Sequence, residues 1–205
     1  AMAPVTYLMS FTAGALLYRE SLTVAELVAE LADWDAVRDK TMAENRLQIR
    51  TTSAARRVYR EISGRLQTLT AAEMEILRDG SRLEQGYTLW LAICKRYQFI
   101  REFAVEVVRE KYLRLDYRLA HEDFDIFFNA RADWHAEVEK IEPSTRAKLR
   151  QVLFHMMRDA EILSSQGLIV PAILTPRLIA AMREDAPANL AIFPVSDADL
   201  KAWTQ

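Results

Sequence analysis

The chain has 205 residues, 51% hydrophobic and 27% charged, with 27 Lys and Arg against 29 Asp and Glu for a net charge of −2. That size supports one large or two small globular domains with a proper core, and the slightly acidic balance confines any polyanion binding to local patches. No apolar run approaches the roughly 20 residues of a membrane span, no charged and then apolar leader opens the chain, and one cysteine excludes an intramolecular disulfide. The expectation is a cytoplasmic protein, with Ala1 before Met2 read as a residue left by tag removal.

Only five glycines and six prolines punctuate the sequence, most prolines falling in the last third. Long helices with short connections follow, a mainly α fold. Tyr7–Tyr18 (YLMSFTAGALLY) reads as a short, mostly buried helix. Ser21 or Thr23 caps the next, with Val24, Leu27, Val28 and Leu31 as its apolar face. Trp34–Asn45 turns Trp34, Val37 and Thr41 inward.

The stretch Arg46–Leu69 (RLQIRTTSAARRVYREISGRLQTL) has the most distinct pattern. Thr51, Thr52 and Ser53 are each able to cap a helix start, since a hydroxyl accepts from free first-turn N–H groups. Ala55, Val58, Ile62, Leu66 and Leu69 then recur on one face, and Arg56, Arg57 and Arg60 project opposite. From Arg46 to Arg65 there are six arginines against one acid, Glu61. One buried stripe and one arginine face, entered through hydroxyl residues, suit a helix laid on nucleic acid; a solvated, arginine-rich helix fits the same pattern.

Thr70 and Glu73 form a capping box for a short helix that stops at Asp79-Gly80. Ser81 opens the longest helical segment, to about Leu113, with Leu83, Tyr87, Trp90, Leu91 and Cys94 continued by Phe99, Phe103 and Val107. Cys94, inside the apolar run Leu89–Ile93, reads as a buried structural thiol, and the aromatic cluster Tyr97, Phe99, Phe103 as core. Lys95, Arg96, Arg101, Arg109 and Lys111 make this segment basic, diluted by Glu102, Glu106 and Glu110.

His121–Trp134 is a further helix burying Phe124, Phe127 and Phe128. From Glu122 to Glu142 there are seven acids and two bases, an acidic surface. Ser144 caps the next helix, whose apolar face is Leu149, Val152, Leu153, Met156, Ala160 and Leu163, with Lys148, Arg150, Gln151, His155 and Arg158 outside. Ser164-Ser165-Gln166-Gly167 is a turn, and Leu168-Ile169-Val170 is β-capable. Helix, turn and short strand outline a small winged-helix motif with Gln166-Gly167 at the wing tip; a plain loop with apolar anchors is the alternative. Thr175-Pro176 starts a last helix, Arg177–Glu184, and the tail to Gln205 keeps Leu190, Ile192, Phe193, Val195 and Trp203, enough to pack back on the body. With Gly80 as hinge, the division is 1–79, an N-terminal helical domain with the arginine-rich helix, and 80–205, a C-terminal helical domain with the wing-like element.

Catalytic signatures are missing from the sequence. Five scattered glycines make neither a P-loop nor a dinucleotide fingerprint, and the zinc patterns fail for lack of Cys and paired His. His121-Glu122-Asp123 is not HExxH; adjacent helical residues face different ways, and the acids suit a helix start. The expectation is a non-enzyme with no cofactor and no metal.

YLMSFTAGALLYRESLTVAELVAELADWDAVRDKTMAEN, TTSAARRVYREISGRLQTLT, QGYTLWLAICKRYQFIREFAVEVVREKYL, HEDFDIFFNARADWHAEVEKI, STRAKLRQVLFHMMRDAEIL and the final LAIFPVSDADL together resemble the BrxA family of BREX (bacteriophage exclusion) defence systems, in order over nearly the whole chain. The resemblance implies a non-enzymatic, mainly α-helical protein that binds DNA beside the host-marking and phage-restricting machinery, with a fold likened to the helical RNA binder NusB. It carries no catalytic motif and no base-contacting residue. The DNA-binding candidates rest on the helix faces alone: Arg50, Thr52, Ser53, Arg56, Arg57 and Arg60, with Lys148, Arg150 and Arg158 as a second set. Double-stranded DNA is the expected partner. A protein–protein adaptor docking other BREX components, or an RNA binder by analogy with NusB, are the alternatives.

Overall fold

The computed structural model describes residues 6–205, so the Ala1–Met2 junction lies outside it. Its described part is mainly helical: α1 Tyr18–Leu31, α2 Trp34–Ala43, α3 Thr52–Leu66, α4 Ala71–Asp79, α5 Arg82–Arg96, α6 Gln98–Phe103, α7 Glu110–Leu113, α8 His121–Ala132, α9 Ala136–Glu139, α10 Pro143–Asp159, α11 Pro176–Asp185 and α12 Asp197–Thr204.

The core is built around α5. Every residue from Gln85 to Cys94 is buried, so this helix is apolar all round and needs neighbours on all sides. Three of its buried side chains have partners: Thr88 Oγ1 donates to the Glu84 carbonyl at 2.8 Å, Gln85 Nε2 to Leu77 O at 3.0 Å and Trp90 Nε1 to Ile192 O at 3.1 Å. The last bond pins the returning C-terminal segment, where Leu190, Ile192 and Phe193 are fully buried. Helices α3, α4, α6 and α10 all pack against α5, and α1 lies on α2, α3 and α4. Buried residues from both sides of Gly80 join one contiguous apolar cluster.

The expected capping box at Thr70 forms, and Ser81 makes a second with Glu84, each glutamate reaching back to the cap N–H. The long segment opened by Ser81 is not one helix. Tyr97, in extended conformation, breaks it, and Ala104–Arg109 is a π-helical turn between α6 and α7. The break places Tyr97, Phe99 and Phe103 in the core, fully buried, where Phe99 and Phe103 meet Phe124 and Phe127 edge-on at 5.1–6.1 Å between centroids.

Three expectations are corrected. Tyr7–Leu17 is not helical: it is an irregular segment that buries Phe11 and Leu16 and turns at Gly14 with φ +75°, a conformation open to glycine. Helix α1 consequently starts at Tyr18 behind Leu17, earlier than Ser21 or Thr23. Helix α10 starts with Pro143 in its first turn, the favoured place for a residue without an N–H, so Ser144 lies inside it. The β-capable run after α10 forms two isolated antiparallel bridges, Leu163 with Ile169 and Arg118 with Leu168. Gly167, at φ +78°, turns the chain, and Leu119 N donates to Gly167 O at 2.9 Å. The partner segment, Tyr117–Leu119, carries no strand signal of its own.

Candidate nucleic-acid interface

Helix α3 begins where the hydroxyl residues stand. Thr51 is the cap, its hydroxyl accepting from Ala54 N at 3.3 Å. That leaves Thr52 and Ser53 in the first turn, exposed, with side chains free for other partners. Six residues fasten the inner face: Ala55, Tyr59, Glu61, Ile62, Arg65 and Leu66 are buried. Tyr59 donates from its hydroxyl to Trp34 O of α2 at 2.9 Å, and burial pushes its phenol above the ordinary value, which keeps it a donor.

The sixth arginine of the stretch belongs to the interior. Arg65 is 1% exposed; its Nε donates to Glu61 Oε1 at 2.7 Å and its Nη1 to Ala15 O at 2.8 Å. The Tyr97 hydroxyl donates to the same Glu61 carboxylate at 2.7 Å. Burial lowers the Arg65 guanidinium against the opposing pull of Glu61; burial first, and then Glu61, raises the Tyr97 phenol. This network ties α3 to α5, α6 and the Tyr7–Leu17 segment. Glu61 stands four residues from both Arg57 and Arg65, so spacing alone does not choose between them; the position of Arg65 at the border of the apolar stripe is what turns it inward to Glu61.

Arg50, Arg56, Arg57 and Arg60 are exposed, and among the described residues none has a carboxylate within 4.0 Å. Arg46, by contrast, is held by Glu44 at 3.5 Å. Ser53, Arg56, Arg57 and Arg60 span about 100° around the helix at 3.6 residues per turn. Between α2 and α3 lies a groove of about 650 Å³, lined among others by Trp34, Arg38, Met42, Arg56, Arg60 and Ser63. Its acids are engaged: Arg38 Nη1 donates to Asp35 at 2.8 Å and Arg38 Nε to Asp39 at 3.0 Å.

The second predicted set is arranged differently. Lys148 and Arg158 are exposed and, among the described residues, lack an acid partner within 4.0 Å. Arg150 does not stand free outside the helix: it is half-buried and its Nη1 donates to Asp125 Oδ2 at 2.6 Å, while Arg146 donates to the other oxygen of the same carboxylate at 3.1 Å. Lys148 and Arg150 also point about 160° apart around the axis of α10. The acidic Glu122–Glu142 surface is likewise partly spent inside the protein, Asp125 on α10 and Asp123 on Lys111 and Ala120 N.

Cys94 is fully buried, and burial pushes its thiol far above the ordinary range. Among the described residues no group of three or more His, Cys, Asp and Glu is arranged to hold a metal. Among them, too, no helix is long and apolar enough to cross a membrane.

The fold and the arginine helix define a class, a compact helical protein of α3-on-α5 architecture. A crystal structure of an uncharacterized protein from Magnetospirillum magneticum shares that fold, with a TM-score of 0.80, 20% sequence identity and coverage of 93% of this chain and 100% of the other. The sequence model of the BrxA family matches residues 5–186, and the chain belongs to that family. It is 25% identical over 147 residues to the BREX protein BrxA of Escherichia coli O9:H4 (strain HS), covering 72% of this chain and 69% of the relative. It is 26% identical over 151 residues to the BREX protein BrxA of Bacillus cereus (strain H3081.97), covering 74% and 76%.

Proposed function

We propose that this member of the BrxA family is a non-enzymatic, DNA-binding accessory protein of a BREX phage-defence system. The observation that carries the reading is the exposed arginine face of α3, Arg56, Arg57 and Arg60, which with Arg50 just ahead of the helix have no acid partner among the described residues. Unpaired guanidiniums on a rigid helix suit phosphates, which they bind in a bidentate, charge-assisted manner. Thr52 and Ser53 add hydroxyls, and the first-turn N–H groups add donors, at the positive end of the helix dipole. Contacts of this kind position a duplex without reading its sequence, so the sequence preference is weak. Lys148 and Arg158 serve as outlying phosphate contacts, with Arg150 contributing only what Asp125 leaves it.

The test is a titration of the whole chain with a short fluorescent duplex at two salt concentrations. Phosphate-directed binding releases counterions, and affinity falls steeply as salt rises. Absence of binding at low salt, or binding indifferent to salt, would falsify the reading. A parallel competition with duplex RNA decides between DNA and RNA.

One observation favours a second partner class. Ile126 on α8 and Trp134, just past its end, are 69% and 86% exposed within the acidic Glu122–Glu142 stretch, and exposed apolar anchors among charges are common at docking surfaces. Contact with other BREX proteins is proposed to use this side. Co-purification of a BREX partner that is lost on Trp134→Ala supports it, and retention of the complex removes it.

A further inference from the structure

We propose that the α2–α3 groove takes one unpaired nucleotide of the bound DNA, its base against Trp34 and Met42 and its phosphate on Arg56 and Arg60; the inference rests on the DNA-binding reading. The groove holds about 650 Å³, within the range of roughly 300–1,000 Å³ usual for ligand pockets. Its lining divides by chemistry. Trp34 and Met42, partly buried against the core, and the ring of Tyr59, whose hydroxyl is committed to Trp34 O, form an apolar wall. A base stacks on such a wall whatever its identity.

The acids of the groove sharpen the choice of base. Asp35 and Asp39 share one guanidinium, that of Arg38, at 2.8 and 3.0 Å, and each carboxylate keeps acceptor sites free. An acceptor pair beside an aromatic wall favours an exocyclic amino group, so adenine, cytosine or guanine is preferred to thymine. Arg56 and Arg60 stand one turn apart on the α3 wall, with no acid of their own among the described residues, at the spacing that places two guanidiniums on one phosphate.

The same wall decides the source of the nucleotide. Arg57 and the Ser53 hydroxyl, exposed on the same arc of α3, lie beyond the groove lining, and a free nucleotide would leave Arg57 without an anion, whereas a strand running along α3 uses them in turn. A stacked, paired base cannot enter a cleft between helices, so the nucleotide must lie outside the duplex stack, at an overhang, nick or bulge.

The experiment uses the whole chain and three short duplexes: blunt, with a one-nucleotide 2-aminopurine overhang, and with a thymine overhang. The expected result is binding of the 2-aminopurine overhang about fivefold tighter than the blunt end, with quenching of its fluorescence and a smaller gain for thymine. Ser63→Trp, which fills the groove from α3, and Trp34→Leu, which removes the stacking wall, each abolish the gain and the quench and leave blunt-duplex affinity unchanged. Equal affinity for blunt and overhanging ends, or a gain that survives both variants, overturns the groove assignment. If the wild type binds no blunt duplex, the DNA reading fails separately. The groove is then judged with a single-stranded pentanucleotide carrying central 2-aminopurine: quenching sensitive to Ser63→Trp supports it, and no quenching overturns it.

Discussion

Helices α3 and α10 each carry basic residues outside an apolar face, and their surroundings make them different surfaces. On α3 the outer arginines lie within one arc and have no acid partner among the described residues, while the one arginine that does, Arg65, is buried in a network that holds the helix in place. On α10 the guanidiniums of Arg146 and Arg150 converge on Asp125 of α8 and clamp two helices together. Formal charge is equal in kind on both helices; the charge left over for a partner is not. An ion pair already made inside the protein must be broken and desolvated again before a phosphate takes its place.

Breaking the anchor of α3 gives the largest expected effect. Glu61→Ala leaves a buried Arg65 uncompensated and should lower stability by about 3–5 kcal/mol, as for other buried pairs cut on one side. The paired change Glu61→Gln with Arg65→Met should recover much of that loss, and urea unfolding of the wild type and the two variants measures it. If Glu61→Ala unfolds like the wild type, α3 is not held by this network. Next in size is the loss of DNA affinity when Arg56, Arg57 and Arg60 become Ala, more than about tenfold at moderate salt, with the melting temperature preserved because these side chains are exposed. Asp125→Ala inverts the comparison: it costs roughly 1–2 kcal/mol of stability, discounted for partial exposure, and by releasing Arg146 and Arg150 it raises duplex affinity up to about threefold by charge alone. A drop in affinity would show that the Asp125 clamp itself positions a DNA contact.

The smallest effect is one of pH. Glu84 accepts from Thr175 and from Ser81 N, and these bonds hold its carboxyl below the usual glutamate range. Burial raises Glu102, but hydrogen bonds from Tyr7, Gln98 and Arg131 outweigh it and hold Glu102 low as well. A depressed carboxylate contributes stability that is full above the unfolded value, about 4.3, and is lost as pH falls through the lower folded value. Thermal stability should therefore decline on acidification below about pH 4.5, less so in Glu84→Gln. DNA affinity carried by α3 should stay flat between about pH 5 and 8, since no histidine lies on that helix. A binding curve that follows a histidine-like transition would point to another surface.

Much of α3 is legible in the sequence because caps and amphipathic spacing are local properties. A hydroxyl cap among Thr51, Thr52 and Ser53 and the arc of Arg56, Arg57 and Arg60 follow from the order of residues alone, while the choice of Thr51 as the cap is made by the fold. The burial of Arg65 and the engagement of Arg150 are tertiary facts. Tyr97 comes to Glu61 from 36 residues away and Ala15 to Arg65 from 50, and Asp125 reaches Arg150 across 25. Tyr7–Leu17 misleads for a related reason: its apolar residues are spaced like a helix, yet Gly14 and Leu17 adopt left-handed φ values that let Phe11 and Leu16 reach the core from an irregular backbone. The groove beside α3 escapes the sequence altogether, since it exists only where α2 and α3 meet.

The central claim is that α3 supplies the main phosphate contacts and that the clamped guanidiniums of α10, Arg146 and Arg150, supply little. The most direct measurement is the slope of duplex affinity against salt for the wild type, for Arg56→Ala/Arg57→Ala/Arg60→Ala and for Arg146→Ala/Arg150→Ala. Each lost phosphate contact lowers the slope by about 0.9, so the α3 variant should lose roughly 2–3 in slope and the α10 variant less than about 0.5. An unchanged slope in the α3 variant, or the larger loss in the α10 variant, would contradict the account.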